Sequence, residues 1–283
     1  MSGKDTPGAA AGTEAVYIHG TEPFEQARLT EMNRLINERC LAALRLAPGE
    51  SVLDVGSGLG QMSRMMARTT GRRVVGIEAS REQREEAARQ AAADGESDIV
   101  EFRAGDAMSL PLTPAERGTF DVAHTRFLLE HVTDPLTVVR GMVRAVRPGG
   151  RLLLLDDIHD LLHLYPVVPG FNEVWKAYQR SYDRIGCDPA IGERLVSMLH
   201  EAGAAPARCE LVFFGACTGQ PGFAAIVENI AIILEGARTA TAEAGWIPAA
   251  DIDRVVSELR GWGRRPDAAV WYALALAEGR RTS

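Results

Sequence analysis

The chain lacks the features that mark several protein classes. Its 283 residues include only four cysteines, Cys40, Cys187, Cys209 and Cys217, with no C-x-x-C pair and no zinc-like spacing. Neither a disulfide framework nor a zinc site is expected, and the four read as reduced, buried thiols of a cytoplasmic protein. Positive charge is not in excess: 31 Lys and Arg face 38 Asp and Glu, a net charge of −7. That removes the electrostatic case for a nucleic-acid partner. No apolar run approaches the ~18–20 residues of a membrane helix, so no membrane partner is expected. Residues 1–14 are rich in Gly, Ala and Thr and carry no apolar block of a signal peptide, so they read as a mobile tail. There is no internal repeat and no long low-complexity tract. What remains is ordinary for a soluble globular protein, 46% hydrophobic and 24% charged. The length suffices for one large core, or one core with an appended helical cap.

From Ser51 onward, short β-rich runs alternate with helical patterns, which predicts a mostly parallel sheet wrapped by helices, a doubly wound α/β fold. The expected strands are Ser51–Val55, Arg73–Ile77, Val100–Arg103, Phe120–His124, Arg151–Asp156, Glu210–Phe214 and Ala269–Ala277. Ser80-Arg81-Glu82-Gln83 has the form of a capping box heading an Ala-rich helix that ends at Gly95. Asp134-Pro135 reads as an N-cap with proline at the first helical position. The helix it starts carries Leu136, Val139, Met142, Val143 and Val146 on one face and is expected to stop at Pro148-Gly149-Gly150. Two segments stand outside this alternation: an amphipathic pattern from Thr21 to about Leu46, and helical insertions at Phe171–Ile185 and Gly222–Ala237. The expectation is one domain: a tail and lid helices over 1–50, a ligand-binding core over 51–160, and substrate-side helices with the last strands over 161–283.

The stretch Val52-Leu53-Asp54-Val55-Gly56-Ser57-Gly58-Leu59-Gly60 reads as a buried strand entering a glycine turn that opens a helix. The glycines allow close backbone approach to a ligand, and the helix aims its first N–H groups at the same space. Asp54 adds negative charge there, which suits a ligand bearing an ammonium or sulfonium. The spacing D-x-G-x-G also departs from the dinucleotide pattern G-x-G-x-x-G, which points to S-adenosylmethionine rather than NAD. Ligands of such sheets bind outside the carboxyl ends of the strands. The second strand ends at Glu78, which can accept from a ribose diol. The third leads into Gly105-Asp106-Ala107, where a carboxylate and a neighbouring N–H could meet an adenine. The fourth leads into Arg126 and Glu130-His131, at the edge of a reaction chamber. Each has a plainer reading as well: Asp106 as a turn former, Asp54 as an organiser of the glycine loop, and Glu130-His131 as a brace.

Together these segments resemble the class I S-adenosylmethionine-dependent methyltransferases of the broad small-molecule, UbiE-like group. VLDVGSGLG (52–60) resembles that family's first motif, Glu78 its ribose-binding acid and GDA (105–107) its adenine motif. FDVAHTRFLLEHVTDP (120–135) and RPGGRLLLLDD (147–157) resemble its fourth-strand and post-helix signatures. The resemblance is close over residues 50–157 and holds elsewhere only in layout. It implies a Rossmann-like sheet of seven strands with the last one antiparallel, helical lid insertions, and S-adenosyl-L-methionine as cofactor. The implied cofactor-binding residues are Tyr17, Asp54, Gly56, Ser57, Gly58, Glu78, Ala79, Gly105, Asp106, Ala107 and Arg126. N-terminal segments of the resembling enzymes fold over the cofactor, which brings in Tyr17 and His19.

Methyl transfer from a sulfonium is a displacement that needs alignment and exclusion of water, and a base only if the nucleophile keeps its proton. Glu130 and His131 are the candidate catalytic pair. In plant-type O-methyltransferases the resembling segment carries a catalytic histidine, and that position falls on Glu130 here. For the acceptor, His19, Phe171, Trp175, Tyr178 and Tyr182 are the candidate contacts. An aromatic stripe at helical spacing is more often core or a dimer interface, so a homodimer stays open. Asp156, Asp157, His159 and His163 near the fifth strand's end could ligate Mg²⁺ or another ion, but carboxylates there commonly cap the next turn, and no metal is assigned. The expected function is methyl transfer to O, N or C of a small, largely apolar specialised metabolite. The alternative is an enzyme that binds the same cofactor for a cyclisation or decarboxylation.

Overall fold

The computed structural model describes residues 36–282. Ten strands and eight helices follow in order: α1 (residues 36–44), β1 (Val52–Val55), α2 (Gln61–Thr70), β2 (Val74–Glu78), α3 (Arg81–Ala93), β3 (Val100–Ala104), β4 (Phe120–Arg126), α4 (Pro135–Ala145), β5 (Val146–Asp157), β6 (His163–Tyr165), α5 (Phe171–Arg180), α6 (Leu195–Glu201), β7 (Ala204–Phe213), β8 (Ala216–Cys217), α7 (Phe223–Glu243), α8 (Ala249–Trp262), β9 (Ala269–Trp271) and β10 (Ala273–Arg281). The main sheet runs β3-β2-β1-β4-β5-β10-β7. β10 lies antiparallel to both β5 and β7, one strand in from the edge. The order reverses between β1 and β4, and the crevice above such a switch point is where ligands of these sheets sit.

Alternation along the strands sends side chains to two faces. Leu53, Val55, Ile77, Ala123, Leu152 and Leu154 pack with Val139 and Met142 of α4 and Leu199 of α6. Val52, Val74, Val122, Leu153 and Leu155 pack with α1 and α2 through Ile36, Cys40, Leu44, Met62 and Met66. Each such aliphatic side chain, wholly withdrawn from water, contributes ~1.5–3 kcal/mol, so the strands are held on both sides.

The helix starts follow the local chemistry. Ser80 Oγ accepts from Gln83 N at 3.2 Å at the head of α3, and Asp134 Oδ1 accepts from Thr137 N at 3.0 Å at the head of α4. The stop of α4 differs from expectation. It ends at Ala145, because Val146 already pairs with Phe120 on β4 and the Pro-Gly-Gly segment becomes an irregular opening of β5. The expected strand Ala269–Ala277 divides at Tyr272. Ala269–Trp271 joins a separate sheet ordered β6-β9-β8, and Ala273–Arg281 returns to the main sheet.

The region beyond β5 is therefore more than a helical lid. Helices α5, α7 and α8 and the small sheet enclose their own core, with Val174, Trp175, Ile230, Leu234, Val255, Leu259 and Val270 buried in it. Phe171, Trp175, Tyr178 and Tyr182 belong to that core, with Tyr182 only 1% exposed, so the aromatic stripe is not an outer dimer surface. All four cysteines are free, but only Cys40 is buried; Cys209 and Cys217 are exposed. Among the described residues no helix is long and apolar enough to cross a membrane.

Candidate active site

The glycine turn is built by conformations that only glycine adopts readily. Gly56, Gly58 and Gly60 have φ of 76°, 54° and 70°, in the left-handed region. A Cβ on Gly60 would also overlap the Phe102 ring, and one on Gly76 would meet Ser57 Oγ at 2.8 Å. The turn is pinned to β2: Gly56 N and Ser57 N both donate to Ile77 O, at 2.9 and 3.0 Å. Ser57 Oγ is buried and has no hydrogen-bond partner.

Asp54 departs from the expected ligand-facing position. Its Oδ2 accepts from Ser63 Oγ at 2.5 Å and its Oδ1 lies 2.8 Å from His124 Nδ1. With the residue 2% exposed, both oxygens brace α2 and β4 under the turn. Sequence reasoning missed this Ser63–Asp54–His124 chain. The signal available was a histidine and an aspartate at matched positions of neighbouring strands, which the register places side by side.

Glu78 lies where the second strand was expected to end. Its Oε2 accepts from Gly58 N at 2.9 Å and its Oε1 from Ser80 N at 2.8 Å. Each carboxylate oxygen has two lone pairs, so this bonding leaves acceptor capacity. Burial pushes the carboxyl above its usual range, with Asp54 adding to the effect and the N–H groups of Ser80 and Gly58 opposing it. Ala79 beside it is exposed. Gly105 N donates to Glu78 O at 3.2 Å, which ties the end of β3 to that of β2. Asp106 is exposed and its Oδ1 accepts from Met108 N at 2.8 Å, an Asx turn, while Ala107 points into the core. Arg126 sits over the Phe127 ring at 5.2 Å and beside Cys40 of α1. Tyr17 and His19 lie outside the described residues.

Glu130 and His131 occupy a short 3-10 turn after β4. Asp156 holds that turn: its Oδ2 accepts from Leu128 N at 3.2 Å and Leu129 N at 2.8 Å, and its Oδ1 from Asp157 N at 3.1 Å. Burial, then Glu130 and Asp157, push the Asp156 carboxyl well above the usual range. Phe127, with φ of 53°, turns the chain sharply just before it.

Glu130 does not pair mainly with His131, as its neighbour in sequence suggests. Its Oε1 is 3.4 Å from His131 Nε2, but its Oε2 is 3.2 Å from Nε2 of His159, which also lies 3.7 Å from Asp157 Oδ2. All three are buried. Burial, reinforced by Asp157, pushes Glu130 to about 7. For His159 burial works against the charge, but the Asp157 and Glu130 carboxylates outweigh it and hold the imidazole at about 10.

The aromatic residues roof this cluster. Tyr178 stacks on His159 at 5.6 Å, Tyr182 meets it edge-on at 5.4 Å, and Trp175 Nε1 donates to His159 O at 3.0 Å. The Tyr178 and Tyr182 hydroxyls are 2.9 Å apart, and His131 stacks on Tyr182. Phe171 is one layer further in, stacked on Trp175. Of the four aromatics expected to face an acceptor, three touch the cluster's histidine and Phe171 does not. Of the residues weighed as metal ligands, Asp157 and His159 meet at Glu130. Asp156 is turned to backbone N–H groups, and His163 is exposed on β6.

Residues 53–154 match the family described as "Methyltransferase domain". The chain is 33% identical over 186 residues to methyltransferase GfsG of Streptomyces halstedii, covering 63% of each. It is 31% identical over 193 residues to O-methyltransferase resE of Aspergillus sclerotiorum, covering 67% of this chain and 69% of that one. Its fold matches that of a geranyl diphosphate methyltransferase solved with its cofactor, at a TM-score of 0.55 and 17% identity over 92% of both chains. The aligned part spans only 51%, 63% and 50% of three of the curated relatives it matches.

Proposed function

The chain belongs to the class I S-adenosylmethionine-dependent methyltransferases, and within that family we propose that it methylates a hydroxyl oxygen of a small, largely apolar specialised metabolite. The observation that carries this reading is the buried Glu130–Asp157–His159 centre beneath Trp175, Tyr178 and Tyr182, at the carboxyl ends of β4 and β5. A hydroxyl must lose its proton as it takes a methyl group, and a polar centre walled by aromatics provides both the proton acceptor and the apolar surroundings.

The residues fit the cofactor. The glycine turn keeps its backbone free of side chains at Gly58, where a Cβ would meet only Gln83 Oε1 at 3.4 Å, Ser57 Oγ is buried with hydrogen-bonding capacity unused, and Glu78 retains free lone pairs beside the turn. Gly56, Ser57 and Gly58 would line the cofactor, Glu78 would accept from its ribose hydroxyls, and Gly105, Asp106 and Ala107 would border its base. Asp54 acts through Ser63 and His124, as a positioning residue. When bound, S-adenosylmethionine supplies an activated methyl group on a sulfonium.

The chain's own residues do the rest. Asp156 fixes the turn that carries Glu130, and Glu130 takes the proton of the acceptor hydroxyl. His131 and His159 flank the carboxylate, His159 favours its charged form, and the Tyr178–Tyr182 pair excludes water. The printed name of one relative, an O-methyltransferase, supports oxygen as the target. The acidic net charge supports a small molecule over nucleic acid.

The test is incubation with methyl-labelled S-adenosylmethionine and a panel of hydroxylated apolar metabolites. Label should appear as a methyl ether. Label found only on nitrogen or carbon, or an acceptor rearranged without label, would contradict the reading.

A further inference from the structure

We propose that Glu130, Asp157 and His159 form a binding site for a first-row divalent cation of the Mn²⁺, Fe²⁺ or Zn²⁺ class. The inference rests on the reading of these groups as the acceptor's polar centre and departs from the sequence expectation of no metal. Each of the three buried side chains turns one donor atom inward, and those atoms all lie within 4.8 Å of one another. His159 Nε2 is 3.2 Å from Glu130 Oε2 and 3.7 Å from Asp157 Oδ2. An ion with ~2.1 Å bonds sets adjacent ligand atoms ~3.0 Å apart and opposite ones ~4.2 Å apart. The three side chains are therefore spaced as part of a coordination sphere before any ion enters.

Hydrogen bonding leaves part of the arrangement unsatisfied. Glu130 Oε2 belongs to a side chain only 4% exposed and sits close to an imidazole nitrogen, yet it has no hydrogen-bond partner. Asp157 Oδ1 is likewise buried without one. Two carboxylates withdrawn from water need compensating positive charge. An imidazolium offsets one of them, and a divalent ion offsets both. The donor set of one imidazole nitrogen and two carboxylate oxygens favours a transition ion over Ca²⁺ or Mg²⁺, which prefer oxygen alone.

Three protein donors leave coordination positions open. An acceptor with two neighbouring oxygens, such as a vicinal diol or a hydroxyketone, would fill them. An ion held there would acidify a bound hydroxyl, whose proton would then pass to the neighbouring His131 rather than to the metal-bound Glu130. The substrate class thereby narrows from any apolar alcohol to one that chelates.

Cobalt titration tests the proposal without needing turnover. Co²⁺ added to the purified protein should develop visible absorption that saturates at about one equivalent and is displaced by Zn²⁺. Asp157→Asn and His159→Gln should each weaken Co²⁺ binding about tenfold or more, with calorimetric binding of S-adenosylhomocysteine showing that each variant remains folded. Absence of a stoichiometric Co²⁺ band in the wild type would overturn the site, as would identical bands in both folded variants. Wild type that bound Co²⁺ but no S-adenosylhomocysteine would instead overturn the methyl-transfer reading, so the two failures are distinguishable.

Discussion

Glu78 is the residue on which cofactor affinity is proposed to turn, because it ends β2 and clamps the glycine turn through Gly58 N. Glu78→Ala should cost ~1.5–3 kcal/mol of S-adenosylmethionine affinity, from charge-assisted hydrogen bonds, measured by calorimetry. Burial raises its pKa, which gives a direction to the pH dependence. In the proposed role the ionised form would accept from the ribose hydroxyls, so affinity should hold at neutral pH and fall as pH drops through the raised value. That fall should begin at higher pH than for an ordinary glutamate at ~4.3. Glu130→Gln should lower kcat far more than it changes cofactor affinity, and equal small effects on both would make the residue a brace. The sequence made Glu78 and Glu130 legible because each follows a strand end. It hid the partnership of Glu130 with His159, since the whole of α4 and β5 lies between them. Asp54 was legible as a site residue, but its partners were not, because the strand register brings His124 beside it and the first turn of α2 brings Ser63.

At the scale of elements, the turn between β1 and α2 carries the most information per residue. Gly60 combines a φ of 70° with a neighbouring Phe102 ring where a Cβ would stand. Gly60→Ala should therefore destabilise the fold by more than the ~1 kcal/mol usual for a positive-φ glycine and weaken cofactor binding, both visible in thermal melts with and without S-adenosylhomocysteine. A gain in stability would contradict this account of the turn. The strands of the core were readable as β-rich runs between capped helices, because β1, β2, β4 and β5 are largely buried and the strands follow one another in a regular order. The last strand was not, since Ala269–Ala277 is a continuous apolar run whose break at Tyr272 depends on which sheet each half pairs with. Helix α8 and the small sheet escaped notice for the same reason, as their partners are distant in sequence.

Over the whole molecule, the end of the sheet opposite the crevice is held by charge. Arg151, near the start of β5, donates to Glu278 Oε1 at 3.0 Å and to Leu44 O at 2.7 Å, and so ties α1 to β5 and β10. Burial pushes Glu278 upward, but Arg151 and Arg208 outweigh it and hold the carboxyl below its usual range. A depressed carboxylate contributes stability above its unfolded pKa of ~4.3 and loses it as pH falls through the folded value. The melting temperature should thus drop on acidification, and the gap between wild type and Glu278→Gln should be widest near neutrality and close below that pH. A gap that widened in acid would contradict the sign.

The turn at 52–60 and the strand-end acids are proposed to recognise S-adenosylmethionine. Calorimetry of the purified chain with S-adenosylmethionine, S-adenosylhomocysteine and NAD tests it most directly. The account predicts one-site binding of the first two in roughly the micromolar range, ~8 kcal/mol, weakened by Glu78→Ala, and no heat with NAD. Binding of NAD with none of either sulfur ligand would contradict it.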